Sequence, residues 1–111
     1  MAAIGTARLL KRLVELNRIG ETVEGGVTRL GFSQEEEAAV RLCEQWMREL
    51  GLVVRRDSVG NLYGRRPGRR EGPAVVTGSH VDSVPNGGKY DGVVGVLCAL
   101  EAVGLFAARN I

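Results

Sequence analysis

The chain has 111 residues, 44% of them hydrophobic, 25% charged and 5% aromatic, and its 15 Lys+Arg against 13 Asp+Glu leave a formal net charge of +2. These proportions suit one globular domain and exclude a collagen, a disordered tail and a disulfide scaffold. No apolar run approaches the roughly 20 residues that span a bilayer, and the start of the chain is too poor in apolar residues for a signal peptide. The expected compartment is therefore the cytoplasm, with no membrane partner.

Residues 6–19 predict an amphipathic helix, with Leu9, Leu13 and Leu16 on one face and Gly20 as its stop. Residues 20–32 carry four glycines and no helical period, which reads as an ordered loop. Ser33-Gln34-Glu35-Glu36 is a capping box whose glutamates suit the positive end of a helix dipole. Ala39, Val40, Cys43, Trp46, Met47 and Leu50 give that second helix its apolar face, and Gly51 ends it.

Residues 52–56 and 61–65 read as a hairpin around Asp57-Ser58-Val59-Gly60. Residues 74–78 form a small, β-branched run of the kind found in fully covered strands. From about 91 to 109 the pattern is helical again, and apolar almost all round, which calls for burial on more than one side. Helix, helix, hairpin, strand, helix predicts an α/β fold with a mixed sheet. Cys43 and Cys98 both fall in apolar helical sequence and are expected as reduced, buried thiols. Six arginines and one aspartate between 52 and 70 give a local charge of +5. With Tyr63 the sole aromatic there and no nucleic-acid motif, this reads as a solvated loop with no nucleic-acid partner.

Glycine makes up 16 of the 111 residues, about twice the usual share. Several cluster in Gly78-Ser79-His80-Val81-Asp82-Ser83-Val84-Pro85-Asn86-Gly87-Gly88-Lys89-Tyr90-Asp91-Gly92. His80 is the single histidine of the chain and comes after the apolar run, where α/β proteins place ligands. Asp82 lies on the same side of an extended chain and can accept the free ring N–H of His80, turning the other nitrogen towards a metal. The glycines permit a tight return that could bring Asp91 to the same metal. A carboxylate can bridge two cations, as two-metal hydrolytic sites require. Two blander readings compete: a satisfied His80–Asp82 polar pair, and Asp91 as a helix N-cap.

The run from Gly78 to Leu97, continuing through Leu100-Glu101-Ala102-Val103, closely resembles the hydantoinase/carbamoylase family of dinuclear metal amidohydrolases. Upstream, Gly25-Gly26-Val27-Thr28-Arg29-Leu30 with Phe32-Ser33, Trp46-Met47-Arg48-Glu49 before Gly51-Leu52, and Asp57-Ser58-Val59-Gly60-Asn61-Leu62 with Gly64 resemble it in the same order. The family comprises N-carbamoyl-L-amino-acid hydrolases, allantoate amidohydrolases and β-ureidopropionases, relatives of aminoacylases and metallocarboxypeptidase-like peptidases. The resemblance implies His80 as a ligand of one metal, Asp91 as the carboxylate bridging both, and Asp82 as the acid that orients His80. It implies two divalent ions, zinc or else manganese, cobalt or nickel, and a small carbamoyl or ureido substrate attacked by a metal-bound hydroxide.

The family's general base and further ligands come from a Glu-Glu pair and later histidines, which have no counterpart after Asp91 here. Residues 1–111 are thus expected to be the N-terminal part of an incomplete three-layer αβα catalytic domain. The remaining catalytic segment and the lid or dimerisation domain would be absent. Such a piece is expected to be inactive alone and prone to self-association through an uncovered sheet edge. A peptidase or aminoacylase piece, or a non-catalytic association module, are the rival readings. Thr28-Arg29 and Asn61 read as ordinary loop and turn residues.

Overall fold

The computed structural model describes residues 5–111. The first four residues, on which the signal-peptide reading partly rests, lie outside the described residues. The elements are α1 (Thr6–Asn17), α2 (Gln34–Glu49), β1 (Val53–Arg56), β2 (Leu62–Arg65) and α3 (Val93–Ala108). The α/β class and the helix, helix, hairpin, helix order match the sequence-based expectation. No described helix is long and apolar enough to cross a membrane.

Each helix forms where its signals stand. The chain leaves α1 through Gly20, whose φ of +85° is left-handed, and a Cβ there would lie 2.4 Å from the Thr28 carbonyl oxygen. At the head of α2 the Ser33 hydroxyl accepts the Glu36 N–H at 3.1 Å. The return arm of the capping box is displaced by one residue: Glu36 accepts from the N–H of Phe32, because the Ser33 N–H already donates to the Leu30 carbonyl. In the hairpin, β1 and β2 pair antiparallel with Val53 opposite Arg65 and Arg56 opposite Leu62. Asp57 closes its turn by accepting from the backbone and side-chain N–H groups of Asn61, both at 2.8 Å, which hold its carboxyl below the usual range. Asn61 is therefore a turn residue, as its sequence position implied.

α2 packs on the hairpin and α1 packs on α3. Their shared core is Leu16, Ala39, Cys43, Trp46, Val93, Leu97 and Leu100. Burial pushes the Cys43 thiol up to about 11, against the pull of Arg29 and Arg12. Cys98 corrects the expectation of two buried thiols: it is free like Cys43 but exposed. α3 likewise buries one face, with Val93, Leu97, Leu100 and Glu101 inside while Phe106 is half exposed.

Residues 74–78 do not form a strand. Val75 is 100% and Val76 82% exposed, and residues 71–80 carry no backbone hydrogen bond among the described residues. β-branched composition reports fitness for a covered, pleated surface, but the ladder needs neighbours. No described strand pairs with it, although Gly95 of α3 comes close to Gly78 and Ser79. The sheet is consequently a two-stranded antiparallel pair rather than a mixed one.

An ionic cluster ties α1 to α3. Glu101, 2% exposed, accepts from Arg8 at 2.8 and 2.7 Å and from Arg12 at 3.3 Å. Arg12 is itself buried, and its guanidinium carbon lies 5.1 Å from the Trp46 ring centroid, so the cluster reaches α2 as well. The Arg8 hydrogen bonds hold the Glu101 carboxyl below its ordinary value of 4.5, outweighing burial. Its stabilising contribution is complete above that unfolded-state value and is lost as pH falls through the lower folded one. Glu101→Gln takes the closer carboxylate from buried Arg12, which keeps Glu49 at 3.8 Å, and is expected to cost on the order of 3 kcal/mol near neutral pH. Urea denaturation of both forms checks this, and the difference should shrink on acidification below 4.5.

Candidate functional site

The loop between the exposed segment and α3 carries the site. His80 and Asp82 turn their polar side chains the same way, and half-buried Val81 between them packs against the core. His80 Nδ1 lies 3.2 Å from Asp82 Oδ1 and 3.1 Å from the Asp82 carbonyl oxygen. With the proton on Nδ1, the ring donates to Asp82 and keeps the Nε2 lone pair free. Nε2 lies 3.6 Å from Asp91 Oδ2, too far for a hydrogen bond.

Asp91 is not the cap of α3. Gly92 occupies the N-cap at φ +70°, no side chain caps the helix, and the Asp91 carboxylate is 89% exposed. It is thus free to face His80. Gly92 is what lets the two approach: a Cβ there would lie 2.5 Å from His80 Cε1 and from the His80 carbonyl oxygen. An imidazole nitrogen and a carboxylate oxygen with no hydrogen bond between them are donors that zinc accepts. The set fits part of a coordination sphere. A catalytic zinc takes three protein ligands, and no group of three or more His, Cys, Asp or Glu that could hold a metal occurs among the described residues.

Residues 20–29 form the wall behind this loop. Val27 and Gly87 exchange backbone hydrogen bonds at 2.9 and 2.7 Å, and the Asn86 N–H donates to Thr28 Oγ1 at 2.8 Å. Thr22 Oγ1 donates to Asn86 Oδ1 at 2.6 Å, and Asn17 Nδ2 donates to the Lys89 carbonyl at 2.8 Å.

Arg29 is the residue whose role its sequence context does not announce. It is 1% exposed, and its Nε donates to the Val81 carbonyl at 2.6 Å. Its Nη1 donates to the carbonyls of Leu16 at 2.9 Å and Ile19 at 2.8 Å. Far from an ordinary loop residue, it is the buried hub of the loop. Its sequence signal is faint: one charge within the apolar, glycine-rich run 25–32, with no other charge beside it to share a solvated face.

The arginine-rich stretch is engaged within the chain, with Arg66 and Arg69 donating to the carbonyls of Ile111 and Asn110. Arg56 pairs with Glu37 and Glu44, each at 2.9 Å, and Arg55 stacks 3.9 Å from the Tyr63 ring centroid.

Gly92→Ala would force a side chain into the left-handed region and against His80. We expect a loss of about 1–3 kcal/mol in urea denaturation, from backbone strain alone. A shift of the His80 ring resonances in NMR spectra should accompany it.

No family model matches the chain. An N-carbamoyl-L-amino-acid amidohydrolase of a Pseudomonas species is 46% identical over 109 residues, covering 97% of this chain and 26% of that protein. The allantoate amidohydrolase of Bacillus subtilis is 45% identical over 89 residues, 79% of this chain and 22% of that one. The crystal structure of a hydantoinase/carbamoylase family amidase from Burkholderia ambifaria superposes with a TM-score of 0.93 at 42% identity, over 97% of this chain and 27% of that chain. The chain spans about a quarter of the length of these relatives, and across that quarter it belongs to the hydantoinase/carbamoylase family of amidohydrolases.

Proposed function

We propose that the chain carries part of the active site of a metal-dependent amidohydrolase that cleaves C–N bonds of N-carbamoyl amino acids or related ureido compounds such as allantoate. The observation that carries this is the unbonded pair of His80 Nε2 and Asp91 Oδ2, 3.6 Å apart, while Asp82 engages the opposite ring nitrogen. His80 would bind one divalent cation, and Asp91, with two exposed oxygens, would bridge two. Zinc suits this donor set, and manganese, cobalt or nickel would also serve. When bound, such cations supply a Lewis acid and lower the pKa of water. The chain's own residues do the holding: Asp82 keeps the proton on His80 Nδ1, and Gly92 lets Asp91 come close.

Alone, the chain offers two ligands where a catalytic zinc needs three, so the 111 residues should not turn over substrate. The exposed, unpaired segment at Val75 and Val76 supports self-association of the isolated chain. The two free thiols support a reducing, cytoplasmic setting.

A chimera tests the reading. The stretch of the Pseudomonas enzyme that matches 109 residues here would be replaced by this chain. The product should hydrolyse N-carbamoyl-L-amino acids with Zn²⁺ or Mn²⁺ and stop on chelation. His80→Ala and Asp91→Asn should fall to background, and Asp82→Asn by about 10–100-fold. A folded chimera that works equally well without His80, or in the presence of chelator, would overturn the proposal.

A further inference from the structure

Residues 71–80 are exposed and carry no backbone hydrogen bond among the described residues, so upstream of His80 the chain has packing of Ser79 against Gly95 of α3 but no backbone hydrogen bond. The hydrogen bonds that fix the backbone there come from the residues downstream of it. The first carbonyl that is tied is that of Val81, between the two polar site residues, and its partner is Arg29 Nε at 2.6 Å. The same guanidinium is anchored on the carbonyls of Leu16 and Ile19, at the negative end of α1. Next along the chain, the Ser83 N–H donates to the Arg29 carbonyl at 2.8 Å. The Ser83 hydroxyl accepts the Arg29 N–H at 2.9 Å and lies 2.9 Å from the Val27 carbonyl, to which it donates. Side chain and backbone of one residue thus hold both ends of the stretch from Val81 to Ser83.

We infer that Arg29 is a positioning residue. By fixing the Val81 carbonyl against the end of α1, it sets the peptide planes that aim His80 Nδ1 at Asp82 and leave Nε2 facing Asp91. The role requires a fork. Nε and Nη1 reach carbonyls on two different segments from fixed directions, whereas a lysine ammonium has one nitrogen and no set geometry. This inference rests on the proposed metal-holding role of His80 only for its consequence in affinity. The orientation of the ring is measurable without any metal.

The single histidine makes the readout unambiguous. Long-range ¹H–¹⁵N spectra of the labelled chain report its tautomer, and calorimetry reports Zn²⁺ affinity. The unsubstituted chain should show the Nδ1–H tautomer alone. Arg29→Lys, and Ser83→Ala as the milder change, should show mixed tautomers and Zn²⁺ binding weakened about 10–100-fold. Glu101→Gln, which loosens the α1–α3 junction elsewhere, should lower the unfolding midpoint yet leave tautomer and Zn²⁺ affinity unchanged.

Arg29→Lys and Ser83→Ala with unaltered tautomer and affinity would overturn the inference. So would an equal loss in Glu101→Gln, because the effect would then be one of general stability. A single tautomer that is lost in Arg29→Lys, in a chain that binds no Zn²⁺, would uphold the positioning role and overturn the metal-holding one.

Discussion

A guanidinium buried to 1% exposure with no carboxylate in contact is an expensive object, and the path of the chain is arranged to satisfy it. Arg29 stays charged, although burial lowers its pKa. Its compensation is three carbonyls, two of which lie at the end of α1, where the helix dipole is negative. For those carbonyls to converge, the chain must double back after α1, which Gly20 permits by its positive φ and its close approach to Thr28. The third carbonyl belongs to the site segment. Placing one charge therefore couples the first helix, the glycine-rich loop and the stretch from His80 to Ser83.

The second buried charge cluster works differently. Glu101 is matched by two arginines of α1, so the α1–α3 junction is an ion pair with short hydrogen bonds rather than a set of dipoles. Protonating Glu101 takes the closer carboxylate from buried Arg12, which makes the junction sensitive to acid. The arginine–glutamate pairs on the outer face of α2 and the hairpin are exposed, and such pairs contribute little. Stability and site geometry thus depend on separate charges, Glu101 and Arg29, which allows one to be perturbed without the other.

The features legible in the sequence are those that depend on local chemistry. The Ser33 cap, the hairpin turn closed by Asp57, the left-handed glycines after α1 and α2, and the grouping of His80, Asp82 and Asp91 all stem from residue type and short spacing. The features that were not legible depend on neighbours distant in the chain. Residues 74–78 have strand composition and no partner. Cys98 lies on an apolar helix that is covered on one face only. Arg29 has the look of a loop residue because its partners, Leu16, Ile19 and Val81, are contacted through backbone oxygens, which leave no trace in the identity of a side chain.

If this stretch of the hydantoinase/carbamoylase family presents His80 and Asp91 to a common cation before any further ligand arrives, the cation itself should report it. X-ray absorption at the zinc edge, on the chain loaded with one equivalent of Zn²⁺, reads its ligands. One imidazole nitrogen and carboxylate oxygen are expected at about 2.0–2.2 Å, with the histidine signal gone in His80→Ala and the carboxylate signal diminished in Asp91→Asn. Zinc found on sulfur at about 2.3 Å, or zinc with no histidine in its shell, would contradict that arrangement.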